Sequence, residues 1–187
     1  MPVHPMVLRG AACVALATLA FGVLHPVLRT GIGSGAQAAD TGNTPPVHRG
    51  SGLPIPRFAS LRSDEVNVRT GPGTRYPVDW VFKRKAMPVE IVAEYENWRK
   101  IRDWQGASGW VHQSLLTGKR SFIVPSKVAS LHRTPARSAD VVAKLEPEVM
   151  GEIQSCSGDW CRVKVSGMSG WLERSDLWGV YKSEPIN

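Results

Sequence analysis

The sequence predicts an all-β protein: two tandem small β-barrels behind an N-terminal signal segment. Three observations point there. A set of short words occurs twice in the same order: Asn67-Val68-Arg69-Thr70-Gly71-Pro72-Gly73, Asn97-Trp98-Arg99-Lys100-Ile101 and Ser108-Gly109-Trp110-Val111, then Leu131-His132-Arg133-Thr134-Pro135, Asp159-Trp160-Cys161-Arg162-Val163 and Ser169-Gly170-Trp171-Leu172. Trp98 to Trp160 is 62 positions and Trp110 to Trp171 is 61, and a period that regular means a duplicated fold unit. No window of about a dozen residues keeps the i, i+3, i+4 apolar spacing of an amphipathic helix. Short alternating or apolar runs, broken by turn residues, take its place.

In order, the first copy offers strands at Glu65 to Arg69, Val78 to Lys83, Val89 to Ala93, Trp98 to Arg102 and Trp110 to His112. Turns separate them at Gly71-Pro72-Gly73, Glu96-Asn97, Gln105-Gly106 and Ser108-Gly109. The second copy offers Ala129 to His132, Val141 to Leu145, Val149 to Gln154, Cys161 to Val165 and Gly170 to Glu173. About five short strands within about 55 residues suit a closed or half-closed barrel.

The N-terminus carries Arg9, then a 14-residue apolar run from Ala11 to Leu24 interrupted only by Thr18 and Gly22, then Ala36-Gln37-Ala38. The run is short of the roughly 20 residues a spanning helix needs. Residues 1–39 therefore read as a cleaved signal peptide. The long stretch after Leu24, with Arg29 in it, leaves a retained anchor as the alternative. Either way the rest of the chain is periplasmic or otherwise exported, with no stable membrane span if the signal is cleaved. Residues 40–57 read as a flexible Pro/Gly linker, 58–118 as the first barrel, 122–180 as the second and 181–187 as a short polar tail. Units of about 60 residues bury little core alone, so the two are expected to pack together.

Cys13 falls in the signal, leaving Cys156 and Cys161 on either side of Ser157-Gly158-Asp159-Trp160. Residues flanking a hairpin turn face each other, and an even count in an oxidising compartment favours a disulfide. A ring of that size stabilises by about 2 kcal/mol on the chain-entropy argument. A redox pair or a zinc site is the alternative, but there is no C-x-x-C.

The formal charge of +7 is shared unequally. Residues 57–124 hold 12 Lys and Arg against 7 Asp and Glu, whereas residues 125–187 hold 8 of each. A basic first unit in an envelope compartment suits anionic partners, or else is a solvated face that aids solubility. The export signal and the lack of a nucleic-acid motif argue against nucleic acid.

Strand parity sorts the aromatics. Trp80 shares a face with Val78 and Phe82 and is expected in the core. Trp110 and Trp171 are expected in the core or at a barrel seam, and Trp98 and Trp160 half-buried after turns. Tyr76 and Trp104 are the aromatics least explained by packing, since the second copy has Ala139 and no aromatic in their places. With Arg69, Arg75 and Arg102 they form the candidate ligand-binding set, weighed against the alternative that both rings cover their own loops.

Val66 to Gly73, Tyr76-Pro77-Val78, Asn97 to Ile101 and Gly109-Trp110-Val111 together resemble the bacterial SH3-like domain family. Tyr76 to Phe82, Trp98 to Trp104 and Gly109 to Gln113 are similar to an exported alphaproteobacterial branch of it, as are Val141 to Pro147, Trp160 to Val163 and Leu177 to Val180 in the second copy. The second copy departs at Arg133-Thr134-Pro135-Ala136. The resemblance implies two tandem SH3-like β-barrels. It also implies peptidoglycan binding, targeting of wall hydrolases or protein contacts, since one fold hosts many functions.

No G-x-S-x-G, H-E-x-x-H or phosphate-cradling loop is present, so the chain is expected not to be an enzyme and to need no cofactor. The expected function is a non-catalytic exported module binding peptidoglycan or an anionic envelope polymer through basic and aromatic loops of the first copy. The alternative is a periplasmic protein–protein adaptor recognising an extended or Pro-rich peptide.

Overall fold

The structure is a computed structural model and describes residues 50–187; the signal segment and linker positions 40–49 lie outside the described residues. The first sheet comprises β1 (Arg57–Leu61), β2 (Val66–Arg69), β3 (Val78–Phe82), β4 (Pro88–Tyr95), β5 (Trp98–Arg102), β6 (Ser108–His112) and β7 (Leu116–Thr117), in the order β3-β2-β6-β5-β4-β1-β7. The second comprises β8 (Ser121–Ile123), β9 (Ala129–His132), β10 (Val141–Leu145), β11 (Met150–Ser157), β12 (Trp160–Val165) and β13 (Met168–Glu173), in the order β10-β9-β13-β12-β11-β8. All pairings are antiparallel. Single 3₁₀ turns follow β6 (Gln113–Leu115) and β13 (Arg174–Asp176). Among the described residues no helix is long and apolar enough to cross a membrane.

Six strands of the first sheet match the six of the second in order, with β8 in the place of β1; β7 has no counterpart strand. Irregularities recur in matching places too: β4 shifts register between Ile91 and Ala93 against β5, and β11 between Ile153 and Ser155 against β12. A bulge adds a residue to one strand of a pair, and here both copies break register at the middle of the long strand. Alternation drives each core. On β12, Cys161, Val163 and Val165 are buried while Arg162 and Lys164 are exposed. Val66, Val68, Val89, Ile101 and Val111 are fully or nearly fully buried in the first core, and Phe122, Leu131, Cys161, Val163 and Leu172 in the second.

β1 and β8 revise the expected boundaries. Arg57, expected as the last linker residue, opens β1 and pairs with Ile91. Ser121–Ile123 is the opening strand of the second sheet, paired with Met150–Glu152. The described end of the linker is also held: Ser51 donates to Glu94 from its backbone N–H (2.5 Å) and its hydroxyl (2.7 Å). Nor is the segment after residue 180 a loose tail. Ile186 accepts from the Cys156 N–H at 2.8 Å, and Glu184 is ion-paired with Arg120.

The two copies pack together as expected. Phe58 lies between Trp178 (4.8 Å between ring centroids) and Tyr181 (4.7 Å). The hydroxyls of Ser60 and Ser121 are bonded at 2.5 Å, and the Tyr181 hydroxyl donates to Glu90 at 2.8 Å. Met150 rests on the first core. Burial and the bond to Glu90 push the Tyr181 hydroxyl well above its ordinary range.

Candidate functional site

The loop after β2 is fixed largely by its own backbone. Thr70 N–H donates to Pro77 O (3.1 Å), Gly73 to Gly71 O (3.0 Å) and Tyr76 to Gly73 O (3.2 Å). Arg69 reaches back from β2, its Nη1 donating to Thr74 O (3.2 Å) and Tyr76 O (2.7 Å). The Tyr76 ring lies directly over Gly71, where any Cβ would collide with it. Arg75 points outward, its guanidinium 5.1 Å from the Tyr76 ring centroid, and a hydrogen bond to the Tyr76 hydroxyl raises its already high pKa.

Against this loop stands the β4–β5 turn. Pro72, Gly73, Thr74 and Arg75 on one side and Tyr95, Glu96, Asn97, Trp98 and His112 on the other enclose a cleft of about 470 Å³. Trp98 and His112 are cross-strand partners whose rings meet edge-on at 5.5 Å. His112 Nδ1 lies 2.7 Å from the Ser114 hydroxyl, and Gln113 binds Asn97 through its amide N–H to Asn97 O (2.8 Å) and its Nε2 to Oδ1 (2.9 Å). Beneath the turn, buried Arg99 donates to Glu96 O (2.8 Å), Trp98 O (2.9 Å) and Gln113 Oε1 (2.6 Å). Arg99 is in turn paired with Glu94 at 3.2 Å, and Glu94 also takes Arg57 at 2.6 Å. Burial alone would raise the Glu94 pKa, but hydrogen bonds from Ser51 and Arg57 overcome it and hold the group at about 2. The cleft wall is therefore set by a network that lies behind it.

The second copy reproduces the loop despite its different residues. Arg133 N–H donates to Asp140 O (2.9 Å), Ala136 to Thr134 O (2.8 Å) and Ala139 to Ala136 O (3.0 Å). His132 Nδ1, 3.0 Å from Ala139 O, takes the place of the Arg69 guanidinium. Its cleft differs in chemistry. Glu173 stands opposite Trp160, as His112 stands opposite Trp98. Arg137 of the loop binds Glu173 with both Nε (2.6 Å) and Nη2 (2.8 Å), which lowers the Glu173 pKa. An imidazole cannot offer the two carboxylate oxygens that this clasp needs.

The five candidate residues do not form one site. Arg69, Arg75 and Tyr76 share the first loop, where Arg69 and Tyr76 brace the backbone and Arg75 lines the cleft. Arg102 is committed to buried Glu90 through Nε (2.9 Å) and Nη2 (2.5 Å). Trp104 is half-buried against the first core, in a separate groove with Trp80, Phe82 and Met87. Tyr76 thus covers its own loop, the alternative weighed for it, whereas Trp104 packs on the core. Trp110 and Trp171 correct the expectation in the other direction: Gly109, Val111, Gly170 and Leu172 fill the inward positions, so both tryptophans face outward, half-buried. The cleft also uses Trp98, Asn97 and His112, which were outside the candidate set. Parity with the buried Arg99 and Ile101 was the signal that Trp98 faces out. Cys156 and Cys161 are registered partners joined by a disulfide, with Cα atoms 4.1 Å apart.

The bacterial SH3 domain family matches residues 62–118 and 126–179, and the chain belongs to it. Both matches begin just after the opening strands β1 and β8. Among curated proteins, the chain is 25% identical over 125 residues to "Putative N-acetylmuramoyl-L-alanine amidase YrvJ" of Bacillus subtilis (strain 168), covering 61% of this chain and 24% of that protein. The chain thus spans about a quarter of that relative. Among solved structures, NlpC1 and NlpC2 of Trichomonas vaginalis align with TM-scores of 0.32 each, at 14% and 12% identity. The alignments cover 68% and 71% of this chain and 47% and 51% of those chains.

Proposed function

We propose that this member of the bacterial SH3 domain family is a non-catalytic exported module that binds peptidoglycan, or a like anionic envelope polymer, in the cleft of its first repeat. The observation that carries the reading is the cleft itself: Arg75 on one wall, Trp98 and His112 on the other, and both walls braced from behind. A preformed site loses little freedom on binding. Arg75 would meet a carboxylate with charge-assisted hydrogen bonds, while the Trp98 face would cover an apolar or sugar surface.

Two further facts support it. The curated relative is named for an amidase acting at N-acetylmuramoyl-L-alanine, a wall linkage. The Cys156–Cys161 disulfide suits an oxidising compartment outside the cytoplasm. Co-sedimentation of the protein with purified peptidoglycan sacculi tests the reading. Pelleting at low salt that weakens at high salt is expected; a clear supernatant at low salt refutes wall binding.

A further inference from the structure

The first cleft is wired to the linker through the groups behind its wall. Glu94 accepts from the amide N–H and the hydroxyl of Ser51, at 2.5 and 2.7 Å, and from the Arg57 guanidinium at 2.6 Å. Gly50 lies so close over Glu94 that a Cβ there would collide with its carboxylate. Glu94 in turn is the one carboxylate paired with buried Arg99 among the described residues. Arg99 holds the β4–β5 turn at Glu96 O and Trp98 O, and it holds Gln113, which grips Asn97. A chain of polar contacts, none longer than 3.2 Å, therefore runs from Ser51 to the carbonyl of Trp98.

The linker end of this chain is held by polar bonds and hardly by packing. Residues 50–56 are all exposed, and Leu53 and Ile55 keep 58% and 49% of their surface. A cavity of about 320 Å³ opens between this stretch and the barrel, with Ser51 and Leu53 on one side and Ile91, Arg99 and Gln113 on the other. A segment with few buried apolar contacts opens locally at far less cost than global unfolding. The second repeat has no such input, because its matching position is closed by the Cys156–Cys161 disulfide.

We propose that residues 50–56 act as a strap that orders the first cleft: seated on Glu94 they hold the Trp98–His112 wall in place, and lifted they let it relax. Ser51 is then a positioning residue that touches no ligand. Without its two bonds Glu94 keeps only Arg57 and Arg99, so Arg99 gains freedom and the turn it holds loosens. The consequence for affinity rests on the wall-binding reading above: a wall that must be ordered on binding weakens the complex. Any pull on the chain N-terminal to Gly50 reaches the strap before it reaches β1, so a load or partner on the linker tunes the cleft.

Ser51→Pro removes the amide donor and the hydroxyl together. In NMR spectra of the whole protein without ligand, the Trp98 indole and His112 ring signals are expected to shift and broaden. Trp160 and His132 should keep their parent positions. Ser51→Thr, which keeps both donors, should restore the parent spectrum. Should Ser51→Pro melt early, Ser51→Ala replaces it, with smaller shifts of the same two signals expected. In sacculus co-sedimentation the folded variant should bind several-fold more weakly than the parent. Unmoved Trp98 and His112 signals overturn the proposal, as do equal shifts at Trp160 and His132, which report general loosening, or sacculus binding equal to the parent's. A parent that does not pellet refutes the wall-binding reading alone, and the NMR signals then decide the strap.

Discussion

The β4–β5 and β11–β12 hairpins hold the same registered position by different chemistry. In the first repeat the pair is Glu94 and Arg99, buried and joined at 3.2 Å. In the second it is Cys156 and Cys161, joined covalently. The ion pair needs helpers: Ser51 and Arg57 complete Glu94, while Arg99 spends its remaining donors on Glu96 O, Trp98 O and Gln113. Those same bonds shape the cleft wall. The disulfide needs no such network, and its turn is tied instead by Arg174, whose Nε donates to Gly158 O at 3.0 Å. A duplicated barrel thus keeps its backbone while the chemistry behind the turn changes. Only the first repeat couples its stability to the geometry of a cleft, and only the second has its cleft clasped by Arg137 and Glu173.

The comparison can be broken most severely at Glu94. Glu94→Gln leaves Arg99 buried without its carboxylate and should cost about 3 kcal/mol in urea melts at pH 7. The effect is pH-dependent with a defined sign. The folded pKa of Glu94 is depressed to about 2 from an ordinary 4.5, so its stabilisation is full above pH 4.5 and fades as pH falls toward 2. Parent and variant should therefore converge in stability across that window.

Replacing Cys156 and Cys161 together by Ser should cost about 2 kcal/mol on the loop-entropy argument, with little effect on ligand binding by the first repeat. Tyr181→Phe removes the bond to Glu90 that joins the repeats and should cost about 1 kcal/mol, read by thermal denaturation. Arg137→Ala breaks an ion pair whose arginine is largely exposed and should change stability by less than about 1 kcal/mol.

The fold was largely legible because its signals are local. Alternating runs and turn words marked five strands of each sheet, and the hairpin spacing placed Cys156 against Cys161. β1 was hidden because a short stretch after a Pro-rich segment becomes a strand only by pairing with β4, some thirty positions on. The second loop looked different because Thr134-Pro135-Ala136 replaces Gly71-Pro72-Gly73, yet its hydrogen bonds come from the backbone and tolerate the change. The site was less legible. Arg102 and Trp104 looked available because Glu90 and the core beneath Trp104 are distant in sequence. Trp110 looked like core because the glycine before it, which occupies the inward place, carries no hydrophobic signal.

The central claim is that the first cleft binds envelope polymer while the clasped second cleft does not. Sacculus co-sedimentation of Arg75→Ala beside Arg137→Ala at low salt tests it most directly. The account predicts that Arg75→Ala loses most of the pelleting while Arg137→Ala, equally folded, pellets at least as well as the parent. Loss of pelleting in Arg137→Ala with none in Arg75→Ala would contradict it.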